Sequence, residues 1–172
     1  MEILEILKYT IPAIIVFLTA VFILKQMIKK EQERGKYELI VQNQKIALPI
    51  RLQAYERMVL FLERITPDSL IIRANQPGMT SSQLHQDILR TIRAEYEHNL
   101  SQQLYISSQA WELVKNARAG VIKLINTSAD RVKPGEPAIK LSSLILERIM
   151  EVEKHPTQIA IGFLKEELNK LI

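Results

Sequence analysis

Apolar residues are arranged along this chain in two different ways. In YTIPAIIVFLTAVFIL, Tyr9 to Leu24, they follow one another with no polar face, and Ile3, Leu4, Ile6 and Leu7 extend that character toward the N-terminus. Beyond Pro49 they recur every three or four residues instead. The first pattern belongs to a segment covered on all sides, the second to amphipathic helices that pack on one another.

The periodic part divides into helices at identifiable signals. Pro49 disfavours helix at Leu48 and is acceptable in a first helical turn, so it predicts the start of a new element. In PIRLQAYERMVLFLERI the residues Leu52, Tyr55, Met58, Val59, Leu62 and Ile65 share one helical face, with Gln53, Glu56, Arg57, Glu63 and Arg64 opposite. Thr66 before Pro67 starts a short helix that the NQPGM turn closes. Thr80 with Gln83 three residues later has the form of a capping box, and the helix it opens is expected to reach about Tyr105. SSQAWELVKNARAGVIKLI follows, capped by Ser107 or Ser108, with Trp111, Val114, Ile122 and Ile125 inward. After the longest loop, NTSADRVKPGEP, two helices are expected at about Ile139 to Lys154 and Thr157 to Ile172, parted by His155-Pro156. No stretch alternates with period two, so no strand is expected. The fold class is therefore all-α: an N-terminal transmembrane helix followed by a cytoplasmic bundle of four or five helices. The expected divisions are 1–24 as anchor, 25–47 as a charged juxtamembrane helix or linker with Gly35 as its weak point, and 48–172 as the helical domain.

A membrane span needs ~20 predominantly apolar residues, which residues 3–24 supply if the turns bearing Glu2, Glu5 and Lys8 lie in the interface. A secretory signal would carry basic residues before its apolar core and a small-residue cleavage site after it, whereas this segment has acidic residues before and Lys25-Gln26-Met27 after. Lys25, Lys29, Lys30, Arg34 and Lys36 flank its C-terminal end against Lys8 alone at the other, which orients the N-terminus outside and the rest in the cytoplasm. The same five side chains can meet anionic headgroups.

Composition narrows the chemistry. With no cysteine, the chain has no disulfide, thiolate ligand or thiol nucleophile, and only His85, His98 and His155 offer imidazole. The net charge of +4 is not clustered on the domain: residues 48–172 hold 16 basic and 14 acidic side chains, while 25–47 hold six basic and three acidic. Nucleic acid is thus a poor partner and lipid a better one. The five glycines are scattered and form no phosphate loop, and the serines at 81, 82, 107, 108, 142 and 143 sit at helix starts where capping is their expected use.

One stretch sets chemistry-bearing groups together: RAEYEHNLSQQ, Arg93 to Gln103. Glu95 and His98 have the one-turn spacing of di-iron carboxylate bundles, but such a site wants two Glu-x-x-His motifs and two further Glu, and this chain has one motif. On a helical wheel Glu95, Asn99 and Gln103 fall within the arc of Leu84, Ile88, Ile92, Tyr96 and Leu100, with His98 near its edge and Glu97 outside. Arg51 and Arg118 likewise fall within apolar arcs of their own helices. A buried unpaired charge costs on the order of several kcal/mol, so a structural polar network is expected in which Arg51 or Arg118 pairs with Glu95, and Asn99 and Gln103 complete the hydrogen bonding. No metal, catalytic residue, cofactor or small-molecule substrate is expected.

LPIRLQAYERMVLFLERITP (Leu48 to Pro67) and IRAEYEHNLSQQLYISSQAW (Ile92 to Trp111) resemble an uncharacterised family of short single-pass membrane proteins from Bacteroidota. The resemblance covers nearly the whole length. It implies a bacterial inner membrane and a helical domain, and it carries over no catalytic residue. The expected function is a membrane-anchored interaction or scaffold module, an accessory component of a membrane complex that binds a protein partner or itself. The alternatives are a stalk-like subunit of a membrane machine and, further off, a metal-binding bundle enzyme.

Overall fold

The computed structural model describes the backbone of residues 2–151 and 154–171, and the side chains of residues 14–38, 41, 42, 44–151 and 154–171. The fold is all-α, with six α-helices, one 3-10 helix and no named strand among the described residues. The chain divides into two compact units, Met1–Leu48 and Pro49–Ile172.

Helix α1 is assigned over Glu2–Arg64 and has Gly35 and Pro49 within it. The expectation that a new element begins at Pro49 is corrected. An interior proline forfeits one backbone hydrogen bond at ~3 kcal/mol, and the buried face that follows, Ala54, Tyr55, Met58, Phe61 and Leu62, supports helix on its C-terminal side. Within the first unit, Ile14, Ile15, Val16, Phe17, Leu18, Phe22, Ile23 and Leu24 are each 54–67% exposed. Among the described residues no helix is long and apolar enough to cross a membrane. The expected span at residues 3–24 begins on side chains that lie outside the described residues.

The second unit holds the end of α1 with α2 (Pro67–Ala74), α3 (Ser81–Asn99), the 3-10 helix Leu100–Leu104, α4 (Ser108–Ala129), α5 (Ala138–Met150) and α6 (Pro156–Asn169). The start signals act as the sequence suggests. Thr80 accepts from the Gln83 backbone N–H, and the Gln83 side chain accepts from the Thr80 N–H at 2.9 Å, a complete capping box. Ser107 accepts from the Ala110 N–H at 3.0 Å. The ends differ more: α3 stops at Asn99 where a 3-10 helix takes over, α4 continues to Ala129 into the expected loop, and α5 and α6 finish at Met150 and Asn169.

Every α-helix of this unit gives one face to a common core. Fully buried positions include Tyr55, Met58, Phe61 and Leu62 of α1, Leu70 of α2, Leu84, Ile88 and Ile92 of α3, Ile125 of α4, and Leu141 and Ile145 of α5. Helix α4 packs against α3, α5 and α6, and α3 also meets α2 and α5. Gly120 sets the closest approach of α4 to α6, since a Cβ there would lie 3.1 Å from Pro156 Cγ.

The 130–137 loop is tied to the start of α3. Ser81 N–H donates to Glu136 O at 2.8 Å, Ser82 N–H to Pro134 O at 3.2 Å, and Ala138 N–H to Met79 O at 3.0 Å. The Ser81 hydroxyl donates to the Glu136 and Pro137 carbonyls, a tertiary use in place of the expected cap. Pro77-Gly78, with Gly78 at φ 82°, turns the chain beside this clamp. A positive φ of that size favours glycine.

Candidate functional site

The polar residues of Arg93–Gln103 meet arginines, but not those the wheel selects. Glu95 on α3 accepts from Arg64 Nη1 at 3.3 Å through one oxygen and from Arg73 Nη1 at 3.2 Å through the other. Arg64 ends α1 and Arg73 lies in the last turn of α2, where a cation also suits the helix dipole. Arg73 Nη2 donates in addition to the Arg64 carbonyl. One carboxylate thus ties three helix segments together.

Arg51 and Arg118 do not pair with Glu95. Arg51 lies about 20 Å from Arg64 along α1 at 1.5 Å per residue, and its Nε donates to the Tyr105 carbonyl at 3.2 Å. A wheel gives azimuth and not height, so it does not show which residue of a neighbouring element stands level with Arg51. Arg118 on α4 lies over the Tyr96 ring, 4.1 Å from its centroid, and its Nε is buried without a hydrogen-bond partner. Tyr96 in turn stacks on Trp111 at 5.6 Å and meets Phe61 at 6.0 Å. The Arg118 charge is met by an aromatic face, worth about 1 kcal/mol or more where water is excluded.

Asn99 is buried and donates to the Glu95 carbonyl at 2.8 Å, one turn back on its own helix. Gln103 is exposed, because the 3-10 segment from Leu100 turns it out of the α-helical arc. Glu97 and His98 are exposed. His98 borders a cleft of about 330 Å³ between α1 and α3, whose walls include Arg57, Leu60, Arg64 and Glu95. Among the described residues no group of three or more His, Asp or Glu side chains is placed to hold a metal. Both Glu95 oxygens are engaged by guanidinium groups.

Two other polar positions stand out. His85 Nε2 lies 2.8 Å from Asn126 Oδ1, linking α3 to α4. Tyr55 is buried, and its hydroxyl has no hydrogen-bond partner of normal geometry, nor does Glu167 Oε2. Burial first, then the nearby Glu167 charge, push the Tyr55 phenol above its ordinary value, although Arg51 acts in the opposite direction.

With α1 and α3 in place, Glu95 reads as a joint between helices. A family model described as a family of unknown function (DUF7935) matches residues 1–171. The chain belongs to this family. No curated protein and no solved structure matches it. Family membership carries no assigned activity to Glu95, His98 or any other residue.

The sequence signal that was passed over lies in Arg64 and Arg73. Arg64 reads as a solvent-side residue, yet both are helix-terminal cations, and the buried-arc carboxylate on α3 needs such partners.

Proposed function

We propose that the protein is a membrane-anchored helical interaction module, an accessory component of a membrane complex. Residues 3–24 enter the bilayer of a bacterial inner membrane, the N-terminus lies outside, residues 25–47 form the juxtamembrane segment, and residues 48–172 form the cytoplasmic domain. The observation that carries this reading is the side-chain exposure from Ile14 to Leu24: large apolar groups stand uncovered on every side of the helix. A helix apolar all round needs a covering medium, and within its own unit none is offered. Lys25, Lys29, Lys30, Arg34 and Lys36 follow directly and support this orientation, each able to gain ~1 kcal/mol near anionic headgroups.

A scaffold role fits the second unit, where Glu95 and His85 join helices through Arg64, Arg73 and Asn126. A protease-accessibility assay on sealed inside-out and right-side-out vesicles tests the topology. Cleavage of a C-terminal tag only in inside-out vesicles agrees with the reading, and cleavage from the outer face refutes it. The stalk-like alternative draws on one feature, the 63-residue extent of α1. Affinity purification from detergent separates the two readings, since a stalk copurifies with a rotary or comparable multisubunit machine and a scaffold does not require one.

A further inference from the structure

Helix α5 carries a second apolar face that no described residue of its unit covers. Its inward face is Ala138, Leu141, Ser142 and Ile145. On the outer side Ile139 is 62% exposed, Leu146 42% and Met150 87%. With exposed Ser143 these residues follow a 4-3-4 spacing, the seam of a heptad repeat and not the scatter of isolated surface apolar groups.

The two ends of that seam are unlike. At the C-terminal end Met150 protrudes. At the N-terminal end Ile139 stands at the edge of a cleft of about 600 Å³, formed by Pro77, Gly78 and Met79 on one side and Gly135 and Pro137 on the other. The cleft is preformed: Ala138 N–H to Met79 O and Ser81 N–H to Glu136 O hold its two walls together. A knob and a hole about 16 Å apart on one straight helix, at 1.5 Å per residue, are brought into each other by a twofold rotation about the middle of that helix.

We infer that α5 is the self-association surface of this protein, pairing antiparallel with α5 of a second copy so that each Met150 seats over Ile139 and into the cleft of the other. The same rotation sets Ser143 against Leu146 of the second copy, where the small side chain leaves room for the leucine. The charges along the seam agree. Lys140 and Glu147 lie on the same exposed flank of α5, and an antiparallel pair places Lys140 of each copy beside Glu147 of the other. An isologous contact must be self-complementary in this way. A parallel pairing would instead set Met150 against Met150, away from the cleft, and would put the Lys140–Glu147 flanks of the two copies on opposite sides of the seam. Lys140 already bonds Glu136 at 2.7 Å, and its remaining donors are free for this exchange.

One helix seam and a cleft cover less than the ~800 Å² per partner of a stable dimer. The association is accordingly weak and dependent on local concentration, which a shared membrane would raise. The inference deepens the interaction-module reading by naming the partner, and it stands whether or not residues 3–24 enter a bilayer.

The chain has no native cysteine, so engineered pairs report without background. In the full-length double variant Ile139→Cys/Met150→Cys, purified in detergent and mildly oxidised, a disulfide-linked dimer is expected. Within one chain the two positions are too far apart, a disulfide needing Cα atoms within ~7 Å. Neither single variant should crosslink. Absence of the dimer in a double variant with an unchanged helical spectrum overturns the inference, as does crosslinking of either single variant as fast as the double, the mark of parallel packing or random collision. Crosslinking in cells exclusively to other proteins also overturns it. Adding Lys140→Glu to the double variant should slow crosslinking roughly fivefold through two exposed ion pairs, and adding Glu147→Lys as well should restore it. A rate indifferent to both changes refutes the antiparallel register.

Discussion

The stretch Ile14–Leu24 and helix α3 are both apolar-rich helices, but they solve the problem of covering that surface in different ways. Helix α3 concentrates Leu84, Ile88 and Ile92 on one face and buries all three completely, leaving Gln83, Arg90, Arg93 and Glu97 to water. Ile14–Leu24 has no such face, and its large side chains other than Val21 remain more than half exposed. Period 3.6 in the apolar pattern identifies a helix whose partner is in the same chain. A continuous apolar pattern leaves no polar face, and within its own unit this run has no partner that covers it.

The contrast is broken most strongly by altering each region separately. Leu141→Ala, in the core, is expected to destabilise the 49–172 unit by ~2–5 kcal/mol, read as the shift of its denaturant midpoint. Phe17→Asp with Phe22→Asp should leave that midpoint unchanged, while costing membrane insertion ~3 kcal/mol per aspartate. A lowered midpoint in the aspartate variant would mean that the apolar run is part of the folded domain's core.

A smaller effect sharpens the account of what holds the domain together. Glu95→Ala should lower stability by about 1 kcal/mol, because its two arginine partners are substantially solvated and such pairs are individually weak. A double-mutant cycle should show coupling of Glu95 with Arg64 and with Arg73 and none with Arg51. Coupling to Arg51 would restore the pairing that the helical wheel suggests.

That wheel shows where sequence reasoning reached and where it stopped. The helical class, the Thr80–Gln83 box and the Ser107 cap were legible because each depends on residues within one turn of one another. The buried arc of α3 was legible too, and it rightly marked Asn99 as buried and Glu95 as a carboxylate short of solvent. Which arginine reaches Glu95 was not, since it depends on how far α1 and α2 slide along α3, a quantity no single helix encodes. Gln103 was misplaced for a related reason: the passage from α-helix to 3-10 helix at Leu100 changes the rotation per residue, and LSQQL carries no proline or glycine to announce it. Pro49 lies inside α1 and not at its start, yet it stands where the chain divides into its two units.

The smallest expected effect concerns pH. Tyr55 titrates above its ordinary value in the folded state. Below pH ~10 the phenol is protonated in both states and the domain keeps its full stability. As pH rises past ~10 toward the raised folded value, the unfolded chain ionises first and stability falls. Tyr55→Phe should therefore flatten the alkaline limb of the stability profile without altering the neutral plateau by more than the value of one unpaired hydroxyl. An alkaline limb identical in both proteins would place the sensitive group elsewhere.

The most direct test of the central claim is flotation of the full-length chain, reconstituted with liposomes containing anionic phospholipid, through a density gradient after an alkaline carbonate wash. A chain anchored through residues 3–24 rises with the lipid and stays there after the wash. Recovery in the bottom fractions, folded and free of lipid, would contradict the account.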